Sequence, residues 1–400
     1  MAKQKKTVDK DNDMFAELAE ATGGLVLADQ PPVKYFIDSG NLAVNCICSG
    51  KFIGGGYPGG RMIEIVGPSM GGKSLWACNY VHGVQMIGGW PVYLDAENAL
   101  NPEFAARASH LDPKKIVRYS PKDNIECLEK AFLKIHNVIR KVRETNDKPL
   151  CFVYDSLSVS PSARELRETG LPEDYTETEW KKIVGRQEQM GERARICNKE
   201  LRKMESTLEK NDTTMLIIQQ LRKNIGVVYG KPEVSAVAND AMEYYCCIRL
   251  RVSAHKKMEN KLGKVIGVNL KIKNIKNRIT APFVESEGIQ LFYEKGVNPL
   301  SGLLSLLEQM ERIKMTGKGT YTVCEPWAGG QDVTFKATKT SNLMDIDTLF
   351  KCPALVDATD EQQVRDYLAP YEAAMTQTNS GEMVEKDVSD EEGGIERLLS

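Results

Sequence analysis

Hydrophobic and polar residues alternate with two different periods along the first two thirds of the chain. Short apolar runs typical of strands are separated by longer segments in which apolar residues recur every three or four positions, as in a helix with one buried face. The strand-like runs are "RMIEIVG", "PVYLDAE", "IVRYS", "PLCFVYD" and "TTMLIIQQ". This alternation predicts an α/β fold with a mostly parallel sheet between crossover helices.

The later part of the chain predicts a less regular organisation. Three more strand-like runs, "YYCCIRLRV", "KVIGVNLKIKNI" and "PFVESEG", indicate a mixed continuation of the sheet, and a helix "GLLSLLEQMERI" follows. Residues 381–400 carry seven acidic residues against two basic ones, a composition typical of disorder. We therefore predict a short N-terminal helix and linker (1–35), a core (36–298), a small α+β C-terminal domain (299–378) and a disordered acidic tail (379–400).

Composition narrows the class of protein only slightly. The formal net charge is −2 over 400 residues, so overall charge indicates neither a nucleic-acid nor a membrane partner. No stretch reaches the roughly 18 apolar residues of a membrane span, and the first residues lack the apolar core of a signal peptide. These features predict a soluble cytoplasmic protein with no membrane partner. The ten cysteines form no C-x-x-C pair and are expected to be reduced core thiols.

The stretch "GPSMGGKS" matches the phosphate-binding pattern G-x-x-x-x-G-K-[ST], with a strand-like run before it and a helical segment after it. In such a loop the backbone amides and the helix N-terminus point at phosphate oxygens. Lys73 is expected to reach the β- and γ-phosphates of ATP, and Ser74 to bind Mg²⁺. The predicted nucleotide-binding residues are Gly67, Pro68, Ser69, Met70, Gly71, Gly72, Lys73, Ser74 and Leu75.

Two acidic positions complete this chemistry. Asp155 ends the apolar run "LCFVYD", where a second Mg²⁺ ligand is needed. Hydrolysis also needs a group that orients or deprotonates water. Asp95 and Glu97 both follow the run "VYL", and Glu97 is the better placed if the strand stops near Ala96.

Five separated runs in one order carry a resemblance to a known family. They are "FIDSGNLAVNCICSGKFIGGGYPGGRMIEIVGPSMGGKS", "YLDAENALNPEFAARASHLD", "QQLRKNIGVVYGKPE", "IKNIKNRITAPF" and "GIQLFYEKGVNPLSGLL". Over about residues 36–312 the chain resembles the RecA family of homologous recombinases, bacterial RecA and its phage UvsX-type relatives. The resemblance implies a RecA-type P-loop ATPase that forms a helical homo-oligomer on single-stranded DNA. It also implies pairing with homologous double-stranded DNA and strand exchange, and suggests a single-strand binding protein and a loader as further partners.

The resemblance also implies roles for single residues. Glu97 corresponds to the glutamate that activates water, and Phe104 to the aromatic residue that stacks on adenine. Gln220 corresponds to the glutamine that senses the γ-phosphate and signals to the following DNA-binding loop. Lys276 and Arg278 correspond to two basic residues that reach a neighbouring subunit's ATP.

The sequence contains an independent indication of DNA binding. Residues 249–278 hold ten Lys or Arg residues and one acid, among them Arg249, Arg251, Lys256, Lys257, Lys261 and Lys264. Phosphate neutralisation explains so one-signed a block, although a solvated strand face is the alternative. Together with this basic block, the resemblance implies DNA-binding loops near 161–189 and 221–240. The DNA-binding residues predicted on both grounds are Met190, Arg195, Asn198, Arg202, Arg222, Lys223, Asn224, Ile225, Gly226, Ala238, Asn239, Lys256 and Lys257. Met190 fits a core position equally well.

Two departures from the family pattern favour a phage protein. Ala238, Asn239 and Asp240 stand where the family's second loop has paired glycines and asparagine, and the first loop is longer than in the bacterial enzyme. The extended loop fits a lid, a partner site or a duplex guide. The N-terminal "DMFAELAEAT" is an amphipathic helix that could dock on the next subunit or fold back on its own. A RecA-fold ring motor such as a helicase, and a non-catalytic recombination mediator, are the alternative functions.

Overall fold

The computed structural model describes residues 14–24, 26, 33–69, 71–169, 191–223, 233–235, 237–337, 343–371, 375 and 383–387. The chain divides into two compact units, Met1–Tyr35 and Phe36–Ser400. In the first unit residues 14–22 form the predicted helix, and its Met14, Phe15 and Leu18 side chains are exposed.

The second unit contains strands and helices that alternate through the predicted core. The strands are β1 (Phe36–Ile37), β2 (Tyr57–Pro58), β3 (Met62–Gly67), β4 (Trp90–Asp95), β5 (Val117–Tyr119), β6 (Leu150–Asp155), β7 (Thr213–Lys223), β8 (Glu233–Ser235), β9 (Ile248–Asn260), β10 (Val265–Asn277), β11 (Glu285–Phe292), β12 (Gly296–Val297), β13 (Ile313–Gly317), β14 (Thr320–Val323), β15 (Thr334–Lys336) and β16 (Met383–Asp387). The helices are α1 (Leu42–Ser49), α2 (Lys73–Met86), α3 (Pro102–Ser109), α4 (Leu128–Arg143), α5 (Ala163–Thr169), α6 (Glu192–Lys210), α7 (Asn239–Tyr245), α8 (Leu303–Gln309), α9 (Ile346–Lys351) and α10 (Glu361–Leu368).

The main sheet has the strand order β12-β11-β10-β9-β3-β7-β6-β4-β5, with β8 on β7 and β16 on β9. Its strands β9, β3, β7, β6, β4 and β5 run parallel to one another, whereas β10, β11 and β12 pair antiparallel. The predicted α/β architecture with a mostly parallel sheet between helices is confirmed. The carboxyl ends of β3, β4, β6 and β7 meet at one edge, where ligands bind in sheets of this kind.

The flanking helices form where the sequence combines caps with one apolar face. Asn101 caps the start of helix α3, because its side chain accepts from the Phe104 N–H, and Pro102 occupies the first turn of the helix. Helix α4 buries Leu128, Phe132, Ile135 and Ile139, a three-to-four spacing that packs it against the sheet. Burial of their apolar faces therefore fixes these helices against the sheet.

The C-terminal part contains α8, the small antiparallel sheet β13-β14-β15, α9 and α10. All ten cysteines have free thiols, and nine of them are buried. None of the helices in the described ranges is long and apolar enough to cross a membrane.

Strand β16 lies inside the segment predicted to be disordered. It pairs antiparallel with residues 256–260 of β9, beyond the part of β9 that pairs with β3. This projecting end of β9 offers backbone N–H and C=O groups on one side, and a segment that satisfies them becomes a strand. The prediction of disorder is therefore wrong for Met383–Asp387.

Candidate functional site

Four predicted functional positions meet at the carboxyl edge of the sheet. Gly67, the last residue of β3, pairs with Gln220 of β7, and Asp95 at the end of β4 pairs with Asp155 at the end of β6. Glu97 follows two residues after β4. The parallel arrangement thus gathers chain segments that are far apart in sequence.

The phosphate-binding loop depends on glycine at both ends. A Cβ on Gly67 would lie 2.0 Å from the Val252 carbonyl oxygen, and Gly72 has φ +79° beside Leu270 and Leu291, a conformation that favours glycine. Pro68, Ser69 and Gly71 lie between these glycines, and Met70 lies outside the described residues. Leu75 follows in the first turn of α2. These constraints favour a bare backbone loop ahead of a helix N-terminus.

Lys73 turns back toward this loop. Its side chain is buried, and Nζ donates to the Pro68 carbonyl oxygen at 2.6 Å. Burial lowers the pKa of its ammonium group, while the Asp155 and Glu97 carboxylates act in the opposite direction. The amine is therefore a donor positioned at the mouth of the loop.

Ser74, exposed at the start of α2, lies near enough to Asp155 that its hydroxyl opposes the effect of burial on the pKa of that carboxyl group. Asp155 accepts from the Tyr93 hydroxyl at 2.7 Å, and burial raises the pKa of its carboxyl group to about 6. A carboxylate beside a hydroxyl at the end of a phosphate loop fits the oxygen preference of Mg²⁺. A bound cation would favour the ionised form of this buried group.

Glu97 and Asp95 differ in the hydrogen bonds that their carboxylate oxygens accept. Asp95 is 2% exposed and accepts from the Ala99 and Leu100 N–H groups and from Arg118. Asp95 therefore organises the loop that follows β4.

Glu97 is exposed, and its Oε1 accepts from the buried Ser156 hydroxyl at 2.6 Å. One carboxylate oxygen is thus oriented by the protein. Ser156 was not among the predicted residues, although its position directly after Asp155 was an available signal.

Phe104 on α3 has a second aromatic ring beside it. The Phe104 and Tyr293 ring centroids are 6.3 Å apart, and Phe104 is 37% exposed. Tyr293 directly follows β11, whose Leu291 packs beside Gly72. Tyr293 was not predicted from sequence because a lone tyrosine after a strand carries no motif.

A family model and individual related proteins both show similarity to RecA. The RecA N-terminal domain model matches residues 25–138 and 177–298. Protein RecA from Mycoplasma mycoides subsp. mycoides SC is 31% identical over 287 residues, covering 70% of this chain and 74% of that protein. The chain belongs to the RecA family. Protein RecA from Trichodesmium erythraeum is 27% identical over 360 residues, covering 89% and 88% of the two chains.

In this RecA-family chain Arg278 lies away from its own phosphate loop. It follows Asn277, which pairs with Ile248, and Ile248 pairs with Ile63 near the start of β3. The phosphate loop begins four residues later, about 13 Å along the strand at roughly 3.3 Å per residue. Arg278 is therefore at the opposite edge of the sheet.

Lys276 and Arg278 both contact the C-terminal end of α7. Lys276 Nζ donates to the carbonyl oxygens of Glu243 and, at 3.1 Å, Tyr244, and Arg278 donates to the Tyr244 carbonyl oxygen at 2.6 Å. Arg278 also lies 3.7 Å from the Glu205 carboxylate of α6. Helix α7 and these two cations thus form one contact group.

The predicted DNA-binding residues are only partly described. Arg195, Asn198 and Arg202 are exposed at helical spacing on one face of α6. Arg222 and Lys223 end β7, and Asn239 begins α7 after Ala238. Met190, Asn224, Ile225 and Gly226 lie outside the described residues.

The basic block of residues 249–278 divides into groups with different surroundings. Arg249 is 3% exposed and pairs with the buried Glu64, so its assignment to a DNA-facing surface is wrong. Lys271 and Lys273 pair with acids of β11. The residues at or near the projecting β9-β10 hairpin tip are Lys256, Lys257, Lys261 and Lys264.

Proposed function

We propose that this chain is an ATP-dependent homologous recombinase. It forms helical filaments on single-stranded DNA, pairs that strand with a homologous duplex and promotes strand exchange in recombination and repair. The observation that carries the proposal is the pairing of Gly67 with Gln220. It joins the start of the phosphate loop to the strand that leads into the second DNA-binding loop.

The nucleotide is ATP with Mg²⁺. Lys73 and the loop amides bind the phosphates, and Ser74 and Asp155 hold the cation, which neutralises phosphate charge when bound. Glu97 accepts a proton from the attacking water, and Ser156 fixes the carboxylate orientation. Phe104 stacks on the adenine, and Tyr293 contacts the Phe104 ring and holds it in place.

The filament arises because the nucleotide site needs a second subunit. Arg278 lies at the opposite edge of the sheet from its own phosphate loop. We propose that Arg278 and Lys276 act on the ATP of a neighbour. A head-to-tail contact of this kind generates a helix when it does not close. The exposed apolar face of residues 14–22 supplies a further contact between subunits.

Single-stranded DNA binds along α6 and the loops near 161–189 and 221–240. Lys256, Lys257 and the neighbouring hairpin lysines attract duplex DNA by neutralising phosphates. A cytoplasmic location, a phage-type origin, and assistance from a single-strand binding protein and a loader complete the proposal.

ATP hydrolysis and strand transfer test this function together. Purified protein should hydrolyse ATP faster with single-stranded DNA and transfer a labelled strand from a homologous duplex, but not from a heterologous one. Lys73→Ala should abolish both activities. Unwinding of a tailed duplex without homology would instead support a ring motor, and DNA binding without hydrolysis would support a mediator.

A further inference from the structure

Three buried polar side chains join three strands of the sheet. Glu64 on β3 and Gln219 on β7 are fully buried, and Arg249 on β9 is 3% exposed. Gln219 donates to Glu64 Oε1 at 3.1 Å, and Arg249 donates to Glu64 Oε2. We call Glu64, Gln219 and Arg249 the buried network.

The buried network extends to the segment that leaves the second DNA-binding loop. Gln219 accepts from the Val237 N–H at 3.2 Å. Arg249 donates to the Asn239 side-chain oxygen at 3.2 Å and lies 3.2 Å from the Glu243 carboxylate. These contacts fix the start of α7, where the chain returns from the loop to the core.

The same network lies next to the phosphate loop. Glu64 precedes Gly67 by three residues on β3, and Gln219 precedes Gln220 on β7. A buried ion pair stabilises a fold weakly compared with an apolar pair of similar volume. Its specific geometry, however, can transmit a shift of one strand to the groups that share its hydrogen bonds.

From these contacts we infer that Arg249, held by Glu64, is a positioning residue that couples ATP binding to DNA binding. A displacement of β3 or β7 on nucleotide binding moves Glu64 and Gln219, and these move the exit of the loop through Arg249 and Val237. Arg249 touches neither ATP nor DNA in this scheme. The inference rests on the proposed function, because it requires that ATP and DNA binding are linked.

The experiment measures the linkage directly. Affinity for a fluorescent oligothymidine is determined with and without a non-hydrolysable ATP analogue, and the ratio of the two values is the coupling factor. In the double variant Glu64→Gln/Arg249→Met, the introduced glutamine keeps an acceptor for Gln219 and no buried charge is left unpaired. We expect its coupling factor to fall at least about tenfold, with analogue affinity in the absence of DNA within about threefold of wild type.

A second variant and a control separate coupling from folding. Glu243→Gln removes the partly exposed end of the network and should lower the coupling factor by a smaller amount with an unchanged Tm. Arg312→Met/Asp357→Asn removes an ion pair of the C-terminal part and should change Tm but not the coupling factor.

Two results would overturn the inference in different ways. If the wild-type coupling factor is above one and the folded double variant has the same factor, the role of Arg249 is contradicted but the proposed function is not. A wild-type coupling factor of one contradicts the proposed function itself.

Discussion

The carboxyl edge of the sheet and the projecting β9-β10 hairpin both concentrate charged residues, but they hold them differently. At the edge, Asp155, Lys73 and Asp95 are buried and hydrogen-bonded to neighbouring groups. At the hairpin tip, Lys261 and Lys264 are exposed. Preorganised groups suit a small ligand whose reaction needs fixed geometry, whereas exposed cations suit a long polyanion bound by total charge.

Replacement of Glu97 tests the preorganised edge most severely. If Glu97 acts on the attacking water, as proposed, Glu97→Gln should retain ATP and DNA binding while hydrolysis falls at least about 100-fold. Steady-state turnover and nucleotide affinity measure the two effects, with Glu103→Gln on α3 as the control. Unchanged turnover would show that another group is the base.

Arg278 and Lys276 extend the comparison to the opposite edge. Alanine at either position should leave the monomer folded and able to bind ATP weakly, yet remove the stimulation of hydrolysis by DNA. Mixed with Lys73→Ala protein, either variant should recover part of the activity, because some sites then combine intact residues from both chains. Absence of recovery at every mixing ratio would mean that these cations serve their own subunit or bind DNA.

Ser156 tests whether orientation of the base matters at the edge. A hydrogen bond to a charged group contributes about 1.5–3 kcal/mol, so Ser156→Ala should lower kcat by a factor of about 10 to 150 with little change in KM. Ser160→Ala is the matched control, since this buried serine hydrogen-bonds Tyr154 and not Glu97. An equal loss in both variants would indicate general loosening of the segment after β6.

The hairpin should respond to charge and salt instead of geometry. Deleting residues 381–400 removes β16 and a polyanionic segment, so duplex affinity should rise, and the gain should shrink as salt increases. Neutralising Lys256, Lys257, Lys261 and Lys264 should weaken duplex capture. It should also lower the slope of log affinity against log salt by up to about 0.9 for each phosphate that is no longer neutralised. Equal affinities of full-length and truncated protein at all salt concentrations would mean that the tail does not compete with duplex DNA.

Backbone strain distinguishes the phosphate loop from the segment that leads into α7, with a smaller expected effect. The phosphate loop uses glycine at φ +79°, whereas Ala238 adopts φ +52° before α7. Ala238→Gly should therefore raise the free energy of unfolding by about 0.5–1 kcal/mol, as measured by urea denaturation. Ala241→Gly inside α7 should lower it. A loss of stability in Ala238→Gly would contradict the strain.

The α/β fold could be predicted from the sequence, because strand-like and helical runs alternate along the chain. The phosphate loop, Asp155 and Glu97 could also be predicted, because each is marked by a short motif at the end of a strand. Sequence patterns could not predict Ser156 beside Glu97 or the buried network, which depend on side chains facing each other across strands. For the same reason, the sequence could not separate the lysines of the hairpin from basic residues that are paired within the fold. Acids from β3 and β11 neutralise Arg249 and Lys271, and no local pattern reveals that pairing.

We propose that ATP and single-stranded DNA together assemble this chain into an open helical filament. Electron microscopy of the protein with single-stranded DNA and a non-hydrolysable ATP analogue tests it most directly. Continuous helical filaments are expected for wild type and for Glu97→Gln, and none for Lys73→Ala. Closed rings in place of filaments would contradict the recombinase function.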